Sequence, residues 1–455
     1  MTPTTRDQGG SVGWFNAIEH RRWLGNETAA LLEFGRGAQT DTGFGYMDAD
    51  GDVDLHHPLE LYINCRMTHC YSLGTLLGLP GCRRYADHGV RTLRTRFKDP
   101  EFGGWFSAIE HAPDADGNGV PAGPAGERKS AYAAAFVLLA AASATAANRP
   151  GAHDLLMEAL EDQELHWWDE EAGMVRESFN RDFTECEPYR GANAAMHTVE
   201  AYLAAADVTG DTVWLFRALR MADRVINVGA RAHQWRIPEH YTETYEVDLE
   251  FNKDKPSDPF RPYGATIGHA LEWARLLVHL RASLRVVGAE APAWLLEAAE
   301  ELFERARTDG WRVDGAPGFV YTTDFAGKPI VSQRMHWVAC EGIAAAAAMR
   351  RALLDDGRDA GAVEHYTHCY RSWLDYVEEF VREAPGAWIH ELSPRNEEAT
   401  TTWGGKPDIY HALQATLMPR LSLAPSFATA LASGMLDETE WCVQKGGDGK
   451  KRRWF

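Results

Sequence analysis

The sequence has few basic residues for its length, and this limits its partners. Its 455 residues include 46 Lys and Arg against 66 Asp and Glu, a formal charge of −20. Such a charge repels nucleic-acid phosphates and anionic membrane surfaces, so neither is an expected partner. The chain also lacks the phosphate-binding G-x-x-x-x-G-K-[ST] and G-x-G-x-x-G motifs, which leaves nucleotide chemistry without support.

Cysteines and long apolar runs are scarce as well. The seven cysteines form an odd, scattered set, unlike a disulfide framework, and they suggest a reducing compartment. Residues 1–13 contain no apolar core of a signal peptide, and no run reaches the roughly 18 apolar residues that a membrane span requires. With 45% hydrophobic and 25% charged residues, the composition is that of a globular protein, and we expect a cytoplasmic one.

Helical periodicity is abundant. Long Ala- and Leu-rich segments lie at 130–147, 265–284, 292–307, 341–354 and 362–381, and weaker candidates raise the number of predicted helices to about a dozen. Between them, glycine and an aromatic residue open a short alternating run that a polar turn closes, as in a small β-hairpin. These runs begin at Gly43, Gly103, Gly318 and Gly386, with a weaker case at Gly173 and a degenerate sixth at 234–237. One hairpin per helix pair, repeated about six times, predicts a closed ring of helical hairpins.

In such a ring, alternate helices line the axis, and each of them should begin with polar groups directed into a shared cavity. Spacings of three or four residues place several of these groups on one helix face. The helix starts carry, in order, Arg66 and His69; Tyr132; Asn193, His197 and Glu200; His269 and Glu272; Trp337 and Glu341; Asp408 and His411.

Two of these starts pair an imidazole with a carboxylate one helical turn away. Glu272 follows His269 by three residues, and Asp408 precedes His411 by three. A carboxylate can orient a histidine and raise its basicity, so both pairs are candidates for general acid–base catalysis. A structural histidine and an N-capping Asp408 are the simpler alternatives.

Other polar residues suit a polyhydroxyl ligand. Asn193, His197 and Glu200 offer hydrogen-bonding groups in a row, although a buried polar network would have the same pattern. Arg66 lies in an otherwise apolar helix, where it is costly unless it binds a substrate oxygen or pairs with a buried carboxylate.

Two possible metal sites fail on spacing, so no metal or other cofactor is expected. Cys65, His69 and Cys70 have no second ligand pair at zinc spacing, which favours core packing. The run from Asp114 begins like a calcium loop, but its twelfth position is Ala125 rather than Glu, so a hairpin turn suffices.

The chain has no Pro/Ser/Gly-rich linker before residue 440. We therefore predict one catalytic domain at 1–440 and a flexible tail at 441–455, whose basic run at 450–453 receives no function. The Asp- and Pro-rich segment 251–262 precedes the helix of His269, and we interpret it as a loop over the cavity mouth and a possible lid.

Five motifs resemble those of a known family. They are TGFGYM (42–47), RGANAAMHTVEAYL (190–203), EHY (239–241), GHALEWARLL (268–277) and KPDIYHALQ (406–414). All five closely resemble the N-acylglucosamine 2-epimerase superfamily. Within it they are most similar to the aldose–ketose isomerases, a group with bacterial mannose isomerases and sulfoquinovose isomerases. The likeness runs in register from about residue 13 to 436. It implies an all-α fold, an (α/α)6 barrel with short β-hairpins, in which an aldose and its 2-ketose are interconverted without a metal. The paired catalytic histidines of the group match His269 and His411, and its substrate-contacting positions match Arg66, Asn193, His197, Glu239, Glu272 and Trp337.

Some positions depart from the sulfoquinovose enzymes. Pro407 replaces a Gln that lies near the sulfonate, and Tyr62 and His390 stand where those enzymes tend to have Trp and Gln. The departures favour a neutral sugar, so the expected reaction interconverts D-mannose and D-fructose, with D-lyxose and D-xylulose as a further pair. A sulfoquinovose isomerase is the alternative.

The hypothesis for the mechanism is proton transfer through a cis-enediol. His411 assists ring opening, His269 moves the proton from C2 to C1 while Glu272 holds its imidazole, and Arg66 stabilises the enediolate. Histidines titrate near neutrality, so the rate should fall below about pH 6. We expect a monomer or small homo-oligomer.

Three rival functions share the same features. A sugar 2-epimerase would return the proton to the opposite face of C2. A glycosidase on this barrel would need two carboxylates facing a glycosidic bond, whereas the helix starts are rich in histidine. A non-catalytic sugar-binding module would not need two imidazole–carboxylate pairs.

Overall fold

The computed structural model describes residues 14–437, and twelve of its helices form six pairs. The predicted terminal tail and residues 1–13 lie outside the described residues, and the domain limits 1–440 stay a prediction. The helices are α1 (Ile18–Phe34), α2 (Leu61–Leu76), α3 (Cys82–Thr92), α4 (Ala131–Ala146), α5 (Ala152–Asp162), α6 (Ala192–Thr209), α7 (Val213–Ala222), α8 (Ile267–Val286), α9 (Trp294–Gly310), α10 (His336–Asp355), α11 (Ala360–Tyr376) and α12 (Tyr410–Leu417).

The even-numbered helices form an inner ring and the odd-numbered helices an outer one. Each inner helix contacts the next inner helix, and α12 contacts α2 to close the ring. Each outer helix from α3 to α11 packs on the inner helix that precedes it, while α1 packs on α12. The predicted (α/α)6 barrel is therefore confirmed.

The two rings differ in composition, as their environments require. The inner helix α4 is mostly Ala, and it is buried almost throughout because small side chains let neighbouring helices pack around it. The outer helix α11 buries one stripe at helical spacing, which is typical of an amphipathic helix; the stripe is Val363, Tyr366, Thr367, Tyr370, Trp373 and Leu374. No helix between residues 14 and 437 combines the length and apolarity needed to cross a bilayer.

Short strands link neighbouring repeats at one end of the barrel. A strand of two or three residues immediately precedes each of α2, α4, α6, α8 and α10, and it pairs antiparallel with a strand that follows the next outer helix. This arrangement gathers the first turns of the inner helices around one mouth. The pairs are β1 (Leu59–Glu60) with β2 (Ala108–Ile109), β3 (Lys129–Ser130) with β6 (Ser178–Phe179), β7 (Tyr189–Gly191) with β8 (His240–Thr242), β9 (Ala265–Thr266) with β10 (Thr322–Thr323), and β12 (Arg334–Met335) with β15 (Glu391–Leu392).

Most of the predicted hairpins are present. The run at Gly173 leads β5 (Met174–Val175), which pairs with β4 (Trp168–Asp169), and that at Gly386 leads β14 (Ala387–Trp388), which pairs with β13 (Arg382–Ala384). The runs at Gly43, Gly103 and Gly318 make single bridges, such as Lys98 to Trp105. A further strand, β11 (Pro329–Val331), pairs with β10.

The prediction of a sixth, degenerate hairpin at residues 234–237 is wrong. Gln234 and Trp235 have φ of 58° and 65°, and this left-handed turn forms no strand pair within residues 14–437. The calcium-like run at Asp114 is the expected turn, because its Oδ1 accepts the backbone N–H groups of Asp116 and Asn118.

Candidate active site

One cavity opens at the end of the barrel where the inner helices begin. All the site residues predicted from the sequence line it except Glu200 and Glu239, and the loop 251–262 contributes its last residues. The lining residues are Tyr62, Arg66, Tyr132, Asn193, His197, Pro259, Phe260, Pro262, His269, Glu272, Tyr321, His336, Trp337, His390, Trp403, Pro407, Asp408 and His411.

His269 lies in the first turn of α8 and has a buried carboxylate partner. Its Nδ1 is 2.9 Å from Oε2 of Glu239, and Oε1 of the same carboxylate accepts the backbone N–H of Thr266 at 3.2 Å. A carboxylate only accepts, so the ring proton sits on Nδ1. Nε2 is then the unprotonated nitrogen, and His269 can act there as a base.

The predicted pairing of His269 with Glu272 is wrong. Three residues along the helix place Glu272 a turn deeper in the barrel, where its Oε1 accepts a hydrogen bond from Arg275 Nη2 at 3.2 Å. Glu239 reaches the imidazole instead, and its other carboxylate oxygen is held by the backbone N–H of Thr266, the residue before α8. The two partners are thirty residues apart in sequence, and helical spacing holds no signal for such a contact.

His411 repeats the arrangement on α12 with another helix as its partner. Its Nδ1 is 2.9 Å from Oε1 of Glu341 on α10. The predicted pairing with Asp408 is wrong, since Asp408 accepts Arg66 Nη1 at 3.0 Å and the helix-start N–H of Tyr410 at 2.9 Å. Burial holds the pKa of His411 well below its usual value, so this imidazole stays neutral and does not cause a loss of rate near pH 6.

Three carboxylates meet one arginine beneath the cavity, a cluster that we call the Arg275 cluster. Arg275 Nε is 3.0 Å from Glu341 Oε2, Nη2 is 3.2 Å from Glu272 Oε1, and Nη1 is 3.6 Å from Glu200 Oε1. Glu200 also accepts hydrogen bonds from the Tyr410 hydroxyl and from Gln414 Nε2. Glu200 therefore lies below the cavity and not in its lining, and its contact with substrate stays a prediction.

The Arg275 cluster retains a proton. Burial and the negative charge of Glu341 raise the pKa of Glu272 well above its usual value, and Glu272 Oε2 is a buried oxygen with no hydrogen-bond partner within residues 14–437. Donors and Arg275 hold the pKa of Glu200 low against the cost of burial. Of the three carboxyl groups, Glu272 is therefore the one that most readily holds a proton, and it lines the cavity.

Two groups of side chains have the composition of a metal site. His197, Glu200 and Glu272 form one group, and Glu272, Glu341 and His411 form the other, each with ligand atoms within 4.8 Å of one another. The guanidinium of Arg275 already contacts all three carboxylates, so it supplies the positive charge that a metal ion would bring. These groups fit an ion-pair network better than a ligand set.

Sequence reasoning did not select His336, although it begins an inner helix and so fits the repeat rule. Its ring stacks on His390 with centroids 3.7 Å apart, and the register of β12 with β15, which pairs Met335 with Glu391, brings the two together. Burial lowers the pKa of His336 to about 3 and that of His390 well below its usual value. Both rings are therefore neutral at neutral pH.

Aromatic side chains form the walls and roof of the cavity. The Trp337 ring lies 5.4 Å from the imidazole of His269 and 5.6 Å from that of His411. Above them, Phe260 of the loop 251–262 packs edge-to-face on Trp403 at 5.3 Å. The loop thus covers the mouth as predicted, and its motion as a lid stays a prediction.

Known proteins share this sequence and fold. The profile of the N-acylglucosamine 2-epimerase family matches residues 43–415. D-Mannose isomerases of Thermobifida fusca and Pseudomonas cannabina pv. alisalensis are 46% and 44% identical to the chain over 92% of its length, and the alignments cover 99% and 97% of those proteins.

Solved structures agree on the fold. The crystal structure of a D-mannose isomerase superposes with a TM-score of 0.77 at 24% identity, over 89% of this chain and 98% of that one. Cellobiose 2-epimerase from Bacillus thermoamylovorans B4167 superposes with a TM-score of 0.71 at 18% identity, over 89% of this chain and 100% of that one. On the profile match and the two close relatives, the chain belongs to the N-acylglucosamine 2-epimerase family.

Proposed function

We propose that the chain is an aldose–ketose isomerase that interconverts D-mannose and D-fructose through a cis-enediol. The observation that carries the proposal is the presence of two imidazole–carboxylate pairs, His269–Glu239 and His411–Glu341, in the wall of one cavity. Such pairs suit repeated proton transfer at carbon and oxygen. The D-mannose isomerases that share 44–46% of the sequence support the choice of sugar.

His269 carries the carbon-bound proton in this proposal. Nε2 takes the proton from C2 of the open aldose, the C2 electron pair forms the C1=C2 bond, and the carbonyl pair moves to O1, which receives the proton that O2 gives up. The same nitrogen then returns its proton to C1 as an O2 electron pair forms the C2 carbonyl of the ketose. Glu239 stabilises the imidazolium between the two steps, which is the usual role of a carboxylate hydrogen-bonded to Nδ1.

His411 and Arg66 serve the sugar oxygens. His411 is neutral, so its Nε2 can accept a proton from one oxygen and deliver it to another during ring opening. Arg66 donates to Asp408 and, at 3.0 Å, to the Tyr132 hydroxyl, which keeps the guanidinium fixed beside the developing enediolate. Asn193, His197, Tyr62, Trp337 and His390 complete the binding surface, and we propose that no cofactor takes part.

The charges of the cavity favour a neutral sugar over a sulfonated one. Arg66 is the one arginine or lysine among the lining residues of the described chain, and Asp408 already pairs with it. His336 and His390 are neutral, and neutral imidazoles donate to and accept from hydroxyl groups. An anionic substituent would lose its hydration without gaining an unpaired cation.

We place the reaction in the cytoplasm.

Incubation with D-mannose in heavy water, followed by proton NMR, tests the proposal. We expect D-fructose signals to grow until the two sugars reach equilibrium, because the enediol is protonated at C1. Growth of D-glucose signals instead would identify a 2-epimerase, and loss of the C2 proton signal without a new sugar would show enolisation alone. An unchanged spectrum with D-mannose would overturn the proposal. Sulfoquinovose in a parallel tube tests the choice of a neutral sugar.

The two carboxylates near His269 should respond differently to the same substitution. Glu239→Gln removes the charge that stabilises the imidazolium, and we expect kcat to fall about 10–100-fold, as for other partners that orient a functional histidine. Glu272→Gln replaces a neutral acid by a neutral amide of the same shape, so kcat should stay close to that of the wild type. Steady-state kinetics with D-mannose measures both, and a larger loss in Glu272→Gln would favour Glu272 as the partner of His269.

A further inference from the structure

We infer that Arg275 is a positioning residue that keeps Glu341 ionised and aligned, so that Glu341 can hold the imidazole of His411. The inference rests on the proposed function, because it assigns a purpose to the support of His411. Arg275 touches neither the cavity nor, in the proposed mechanism, any reacting atom. It acts through a carboxylate that the sugar does not reach.

The geometry joins Arg275 to His411 through one carboxylate. Glu341 Oε2 accepts from Arg275 Nε at 3.0 Å, and Glu341 Oε1 accepts from His411 Nδ1 at 2.9 Å. Each oxygen thus has one partner, and a proton on either oxygen would break one contact or the other. His411 presents Nε2 to the sugar only while Glu341 is ionised.

Burial makes that ionisation costly without a counter-charge. The side chains of Arg275 and Glu341 are 2% and 1% exposed. Burial raises the pKa of Glu341 above its usual value, and the charge of Arg275 opposes that rise. Three carboxylates face one guanidinium in the Arg275 cluster, so one of them carries a proton. Because Glu272 has the fewest donors, it holds that proton and leaves Glu341 charged.

Within residues 14–437, no group that neighbours Arg275 can take over its role. Burial lowers the pKa of His69, His197 and His279 to about 4, so these imidazoles are uncharged at neutral pH. The remaining cation nearby, Arg66, is engaged by Asp408. The groups that face the Arg275 cluster are Arg66 and His69 from α2, His197 from α6, His279 from α8, and Tyr410 and His411 from α12.

The pH dependence of Arg275→Met tests the inference. Loss of a positive charge at this distance raises the pKa of a carboxylate by about 1–3 units. The acidic limb of the pH profile of kcat/KM for D-mannose, where activity falls as the pH is lowered, should therefore move to higher pH by about as much. KM should change little, and activity should recover above the new limb. Arg281→Met, which removes another buried arginine of α8, is the matched control and should leave the limb in place.

A second substitution separates charge from packing. In Arg275→Met/Glu200→Gln the ionised carboxylate that raises the pKa of Glu341 is gone, so the limb should return toward its wild-type position. A limb that stays at the wild-type pH in Arg275→Met, with a rate lowered equally at every pH, would overturn the inference. So would a double variant whose limb does not move back.

Folding and function are checked separately. Near-ultraviolet circular dichroism and Tm report whether Arg275→Met folds; if it does not, Arg275→Lys replaces it, because the ammonium keeps the charge but cannot span three carboxylates. A smaller upward shift of the limb is expected there, and an unshifted limb overturns the inference. Wild-type protein that makes no ketose from D-mannose would refute the proposed function instead.

Discussion

Replacing His269 by alanine is expected to lower kcat for the conversion of D-mannose to D-fructose by about 10²–10⁴-fold, the usual contribution of a positioned general base. The cavity offers no substitute at this point, because Glu239, the carboxylate closest to the lost Nδ1, lies behind the imidazole rather than in the lining. KM should change less than kcat, since the proposed sugar contacts of Trp337, Asn193 and Arg66 remain in this variant. Initial rates from a ketose-specific assay give both constants.

His365→Ala is the matched control for this variant. His365 is a histidine of the outer helix α11 whose side chain is 39% exposed and pairs with Glu304, so its removal should leave kcat unchanged. Exchange of the C2 proton of D-mannose with heavy water should fall in step with turnover in His269→Ala. A variant that retains turnover within about tenfold of wild type would refute His269 as the base, since general-base catalysis contributes more than that.

His411→Ala should also lose about 10²–10⁴-fold in kcat, but through a different step. In the proposed mechanism His411 moves protons between sugar oxygens, and ring opening becomes limiting when it is absent. Deuterium at C2 of D-mannose should then have little effect on the rate, because breaking the C2–H bond is no longer the slow step. Rates with C2-deuterated and ordinary D-mannose measure this isotope effect.

The isotope effect separates the two histidines. If His411→Ala shows a C2 isotope effect as large as that of the wild type together with a large loss in kcat, then His411 acts at carbon and its assignment to the oxygens is wrong. Retention of full activity would remove His411 from the mechanism. Tm within a few degrees of the wild type shows that either loss is chemical rather than structural.

The architecture could be predicted from the sequence because each repeat of the barrel has recognisable local sequence patterns. Apolar periodicity marks each helix, and a glycine before an aromatic marks most hairpins, as at Gly386. The same repeat also indicates which residues come together, since His269 and His411 begin equivalent inner helices. Local patterns thus place side chains around a shared mouth without any knowledge of distances.

The same local sequence patterns could not predict contacts between side chains of different repeats. Spacing along a helix suggested Glu272 as the partner of His269, whereas the observed partner, Glu239, lies in a separate segment just before β8. The pairing of His411 with Glu341 joins residues 70 positions apart. These pairings depend on how segments of different repeats pack together at the mouth, and a single stretch of sequence carries no signal for such packing.

The packing of α1 on α12 also determines at which stage of folding the cavity forms. Thr28 and Thr416 join these helices by a hydrogen bond of 2.8 Å between side-chain hydroxyls across 388 positions of sequence. A contact so remote forms only after nearly the whole chain has been synthesised, and its loop-closure entropy must be offset by the packing of the complete circle. Because His411 belongs to that last inner helix, a chain that ends before α12 contains only one of the two histidines proposed for proton transfer.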